Sequence, residues 1–302
     1  MIGTILSLAL LQAAAQQPGP LPPQDPSSPA VDLGEIVVDG RPLEDLTQTF
    51  VREVAAPARN RGMSRWRDGL CVGVVNLQSE IAQYLADRVS TVAQDVGLTP
   101  GRPGCQPHVL IVATTDASTF TRQFVGVRPR LFRVGGAGMD RGSTAFEAFV
   151  DSDQPVRWWT VSVPVNDDTG LVAVRMPGDE TPPMIKVQPS RITTQIVDDT
   201  KRSFIIVDVD KIGDVSLEQL GDYLAFVTLA QVDPDADTSA YATILNVFDD
   251  PGQTDTLTDW DRAYLQGLYD TIRRRKNFGA QRTEVVDSIV RAHQALRAGS
   301  AE

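Results

Sequence analysis

The sequence predicts an α+β fold, a mixed sheet with packed helices in a single domain, and three stretches carry that prediction. Residues 70–113 read as strand, helix, strand; residues 156–176 hold two apolar segments around Asn166-Asp-Asp-Thr-Gly170; and residues 203–232 join a short apolar, β-branched run to a helix that is apolar around most of its girth. The first implies a crossover between parallel strands, the second a hairpin, and the third a strand buried on both faces beneath a core helix.

At the amino terminus, Ile2 to Ala15 is an apolar run closing on Ala13-Ala14-Ala15, the pattern of a secretory signal peptide over 1–15. It is shorter than the roughly 20 apolar residues a membrane-spanning helix needs. A flexible segment is expected over 16–60, because its Pro/Gln/Ser-rich opening cannot pack a core. Within it, Glu35-Ile-Val-Val-Asp-Gly-Arg41 resembles the segment that opens many mature TonB-dependent outer-membrane receptors, which agrees with an envelope protein.

The folded part is expected over 61–272. Leu70 to Val75 forms its first strand, and an amphipathic helix follows over 79–96 with Ile81, Leu85, Val89 and Val92 on one side. Gly97 stops that helix. A turn at Pro100 to Gly104 leads into the strand over 109–113. Cys71 and Cys105 stand at the starts of these two strands, and parallel neighbours start at the same end of a sheet, so a disulfide is expected. Free thiols or a metal pair are the alternatives; two cysteines make a poor metal site, and an exported chain meets an oxidising compartment.

Helical pieces with Phe120, Phe124, Leu131 and Phe132 as core contacts follow over 116–149, interrupted by Gly135-Gly-Ala-Gly-Met-Asp-Arg-Gly142. That loop lacks the spacing of either nucleotide fingerprint. Trp158 and Trp159 are adjacent in a strand and point to opposite faces, so one is expected in the core and the other exposed as a candidate partner-binding surface. Pro182, Pro183 and Pro189 mark a loop. Residues 203–209 form a central strand, Ser216 is the N-cap of the helix ending near Val232, and Asp233-Pro-Asp-Ala-Asp237 breaks it. Thr258 and Asp261 cap the helix that carries Trp260, Leu265 and Leu268. Arg273-Arg-Arg-Lys276 opens a C-terminal helix over 273–302; a solvated helix end is the simpler reading, an anion or partner site the other.

From 203 to 269, the order of strand, buried helix, acidic loop, Ile244-Leu-Asn-Val-Phe-Asp-Asp-Pro251 and Leu257-Thr-Asp-Trp-Asp resembles the C-terminal half of a zincin metallopeptidase. With Trp66 five residues before Cys71, Gly104-Cys105 ahead of a strand and the Leu257-Thr-Asp-Trp-Asp ending, the wider pattern over 61–269 resembles a group of uncharacterised alphaproteobacterial exported proteins. The zincin resemblance implies a zincin-like fold in which Tyr223, Leu224 and Val227 stand where the His, Glu and His of the zinc helix would be. None of the three supplies the imidazole or carboxylate that zinc chemistry requires. The chain's two histidines, His108 and His293, lie far apart in sequence. The resemblance therefore implies a pseudoenzyme scaffold with no cofactor.

Other chemistries find little support. Asp233, Asp235 and Asp237 match the first ligand positions of a calcium loop, but Thr238 and Ile244 replace its Gly and Glu. No nucleophile motif is present. A net charge of −11 argues against nucleic acid. The expectation is a non-catalytic exported protein, periplasmic or secreted, that binds a peptide or envelope protein. A hydrolase built on convergent carboxylates and a purely structural envelope protein are the alternatives.

Overall fold

A computed structural model describes residues 42–58, 61–134, 140–176, 178–188, 190–274 and 278–299. The expected signal peptide, the 35–41 segment and most of the Gly135–Gly142 loop lie outside these residues. In chain order the elements are α1 (Leu43–Val54), β1 (Gly69–Leu70), β2 (Val72–Val75), α2 (Ser79–Asp95), β3 (Thr99–Pro100), β4 (Val109–Thr114), α3 (Ala117–Val127), α4 (Pro129–Phe132) and α5 (Ser143–Asp151). They continue with β5 (Val156–Asn166), β6 (Ile196–Asp208), α6 (Leu217–Leu229), a 3₁₀ turn (Ile244–Asn246), α7 (Asp259–Asp270) and α8 (Phe278–Gly299).

The main sheet has the order β2-β4-β6-β5; β2, β4 and β6 are parallel and β5 is antiparallel to β6. The fold class is α+β, and the described residues form one compact unit. The β-branched run of β6 is central, as its sequence predicts, because alternate residues are needed on two buried faces. Ile205 and Val207 face one core with α1, α2, α6, α7 and α8, while Phe204 and Ile206 face a second core with α3, α4 and α5. Phe124, Phe132, Phe146 and Phe149 fill the second core around Trp159.

The parallel crossover is present: Val72 to Val75 align with Val109 to Val112 across α2. Gly97 ends that helix at φ 83°, a left-handed angle that costs a side chain but not glycine. Cys71 and Cys105 are disulfide-bonded, with Cα atoms 6.1 Å apart.

Three expectations need correction. The segment expected to be flexible over 16–60 contains α1, whose Leu46, Phe50, Val51 and Val54 recur at helical spacing and are buried against α8. The hairpin over 156–176 is reduced to a turn. Asn166 Oδ1 accepts from the amides of Asp168 and Thr169, and the return leg keeps only the Val165–Val172 bridge. The long partner of β5 is β6, reached after a 29-residue excursion (167–195) in which Pro182 and Pro183 offer no ladder amide. Thirdly, the C-terminal helix belongs to the domain: Val285, Val286 and Ile289 of α8 are buried, and Gly267 of α7 admits it so closely that an added Cβ would lie 2.5 Å from the Ile289 amide nitrogen.

Candidate functional site

Helix α6 starts where its sequence says it should. Ser216 Oγ accepts from the Gln219 amide, and the Gln219 side chain accepts from the Ser216 amide in return, forming a capping box. From there the helix runs through the larger core with eleven of its thirteen residues buried. Tyr223 is wedged between Trp158 and Phe248, at ring-centroid distances of 6.1 and 4.9 Å. Burial and the nearby negative charge of Asp249 push its phenol above the ordinary range. Leu224 and Val227 are fully buried. Aromatic and aliphatic packing thus surrounds all three of these residues. A phenol held in its neutral form is the single polar side chain among the three, so these residues do not fit zinc.

The tryptophans point to opposite faces, as strand alternation demands, yet both are buried. Trp158 Nε1 donates to the Val232 carbonyl at 3.1 Å and Trp159 Nε1 to the Phe132 carbonyl at 2.8 Å. The expectation that one ring is exposed is corrected, because helices cover both faces of the sheet at β5. Neither ring offers a surface to a partner, and ten of the eleven β5 residues are buried.

Chemistry gathers instead where residues 61–67 run beside the start of β6. The Thr200 amide donates to the Arg65 carbonyl at 2.9 Å, and Trp66 Nε1 donates to the Thr228 carbonyl at 2.8 Å, which fixes this segment against β6 and α6. A pocket of about 380 Å³ opens here. One wall is apolar: Val51 and Ala55 from α1, Val285 from α8, with Met63 and Leu268. The other is cationic, formed by Arg52, Arg61, Arg65, Arg273 and Arg282, with Asp198 the one acidic lining residue among those described. Five guanidinium groups face a single described lining carboxylate, in a chain of net charge −11.

These arginines differ in what holds them. Arg61 is ion-paired with Asp198, whose other oxygen accepts from the Gly62 amide at 2.9 Å. Arg273 bonds the Asp198 carbonyl and the Asp199 carboxylate, and Arg67 donates to the second Asp199 oxygen at 2.6 Å. Among the described residues Arg65 makes no ion pair with a carboxylate. Its Nη1 donates to the last carbonyls of α7, those of Leu268 and Tyr269, and its guanidinium lies 5.7 Å from the Tyr269 ring centre. Desolvation by burial, with the positive charge of Arg273 beside it, lowers Arg65 to about 10. Arg52 and Arg282 stand exposed at the rim and make no ion pair among the described residues.

Residues 273–276 were expected to end in solvent, but Arg273 and Arg274 lie between α7 and α8 in ion pairs with Asp199, Asp167 and Asp168. The remaining pocket arginines come from positions 52, 61, 65 and 282, too dispersed for any sequence window to join them.

Other candidate groups are tied into structure. Asp233 is paired with Arg141, and Asp237 accepts from its neighbour Ser239. Asp261 is fully buried and accepts from Thr243, Thr258 and the Ile244 amide. His108 lies near Trp66 and His293 against Trp260. Among the described residues no group of three His, Cys, Asp or Glu side chains is placed to hold a metal, and no helix is long and apolar enough to cross a membrane. The disulfide is compatible with an exported chain. No protein-family model, curated protein or solved structure matches the chain, so the pocket is interpreted from its own residues.

Proposed function

We propose that this is a non-catalytic protein of the periplasm or the secreted fraction that binds a peptide or protein partner, on a scaffold related to the zincins. The observation that carries the reading is the contrast between two places. Where the resemblance would put peptidase chemistry, Tyr223, Leu224 and Val227 are core residues packed on Trp158 and Phe248. Where the surface does collect functional groups, the pocket between α1, α8 and the start of β6 offers cations and an apolar wall, with no serine, cysteine or histidine among its described lining residues. Such a lining binds and orients without supplying a base. The order of β5, β6 and α6, with an antiparallel edge strand beside the strand that feeds the buried helix, supports the relation to zincins.

The test immobilises the full chain, exposes it to a random peptide library, and identifies retained and cleaved peptides by mass spectrometry while zinc content is measured. A reproducible retained set, uncleaved, with substoichiometric zinc, is expected. Zinc-dependent cleavage, or no retention at all, overturns the reading.

A further inference from the structure

We propose that the arginine-lined pocket receives the free carboxylate at the carboxyl terminus of a peptide, with the last side chain of that peptide against the wall formed by Val51, Ala55 and Val285. This rests on the binding reading above and names its ligand. A planar guanidinium presents two parallel donors that match the two oxygens of a carboxylate, so arginine is suited to this group. Arg65 is the central candidate. Its Nη1 is engaged by two carbonyls, while among the described residues no hydrogen bond engages its Nε or Nη2. It is largely removed from water and stands beside a second cation, Arg273, so the attraction of an incoming anion offsets both the cost of burying its charge and the repulsion from Arg273. Arg52 and Arg282, exposed at the mouth with no ion pair among the described residues, extend the positive field outward and favour approach of an anion to an otherwise acidic protein.

A compact apolar group bearing a carboxylate is the shared chemistry of a peptide terminus and a fatty acid. The lining favours the peptide. At about 380 Å³ the pocket is at the small end of ligand cavities, and five guanidinium groups interrupt the continuous apolar sleeve a long acyl chain needs.

The experiment measures fluorescence polarisation of a fluorescein-labelled pool of random pentapeptides ending in leucine, once as free acids and once as carboxyl-terminal amides, on the full chain. Laurate is a competitor and is also tested for direct binding. The acid pool is expected to bind at least tenfold more tightly than the amide pool. The double variant Arg52→Gln/Arg282→Gln is expected to weaken the acid pool at least fivefold with an unchanged melting temperature. Arg65→Gln is expected to abolish the preference for acid over amide, but it also removes a bond to the end of α7, and for that reason the rim variant carries the test. Equal binding of acid and amide pools, unaffected by the rim variant, overturns the inference and leaves the binding reading intact. Direct binding of laurate without binding of the acid pool overturns the peptide assignment. If neither pool binds, the inference falls, and the library experiment decides separately whether the binding reading falls with it.

Discussion

Replacing Trp158 by Ala tests whether β5 is a packed core strand, and the expected cost follows from the structure. The indole is buried in the larger core, touches Tyr223, and donates to the Val232 carbonyl. An aromatic side chain of this size buries roughly 150–250 Å², worth about 4–6 kcal/mol at about 25 cal/mol per Å². Partial collapse of the cavity brings the expected loss to about 3–5 kcal/mol. Trp159→Ala should cost about the same, about 3–5 kcal/mol, since its ring sits among Phe146 and Phe149 and its Nε1 bonds the Phe132 carbonyl. Trp158→Phe keeps an apolar ring but leaves the Val232 carbonyl without its donor, so about 1–2 kcal/mol is expected. Urea titration followed by far-ultraviolet circular dichroism gives the midpoints, and thermal melts should fall by about 2–4 °C per kcal/mol for a domain of this size. A loss below about 1 kcal/mol for either alanine variant would place that ring at the surface and refute the two-core description of the sheet.

Three further outcomes follow from buried groups and the crosslink. The Cys71–Cys105 bridge spans a sequence separation of 34, so reduction should lower stability by about 3–4 kcal/mol on loop entropy; intact mass with and without reductant, paired with urea midpoints, checks it. Asp222 is fully buried and accepts from Arg88, Thr256 and the Leu257 amide. Asp222→Ala leaves that guanidinium and amide unpaired and should cost about 3–5 kcal/mol, with Asp222→Asn recovering part of it. Burial pushes the Asp261 carboxyl from 3.8 to about 6 against the pull of its hydrogen-bond donors. A folded pKa above the unfolded one means the protonated form is favoured in the fold. Its stabilising contribution is full below about pH 4 and is lost as pH rises through about 6, by about 3 kcal/mol at most. Asp261→Asn should flatten that part of a stability profile measured from pH 3.5 to 7.5; an unchanged slope would show that another group produces it.

Local grammar was legible wherever neighbouring residues carry the signal. Ser216 with Gln219 and Thr258 with Asp261 form the capping boxes at α6 and α7, the former read from Ser216 alone and the latter as a pair. Gly97 stops α2, and Cys71 with Cys105 could be placed together because a parallel crossover aligns strand starts. The misread elements depended on partners distant in the chain. Helix α1 was hidden because its apolar stripe of Leu46, Phe50, Val51 and Val54 follows a proline-rich run and gains its meaning from α8, more than 200 residues later. The segment after Asn166 has turn chemistry and β-branched residues, but β5 pairs along its whole length with β6 instead.

The chain by itself determined the α+β class, the crosslinked crossover, the central strand and the identity of Tyr223, Leu224 and Val227 on α6, since each depends on residue identity and spacing within a short window. Only the tertiary structure decided that Trp158 and Trp159 are both core residues: alternation sends two rings to two faces, but whether helices cover those faces is a property of the assembled layers. The same holds for the pocket. Arg52, Arg61, Arg65, Arg273 and Arg282 come from α1, the 61–67 segment, the α7–α8 connection and α8, and they become one site because α8 packs back across α1 and α7. Charge acts through space, and a site assembled from dispersed arginines is fixed only when the fold sets the distances between them.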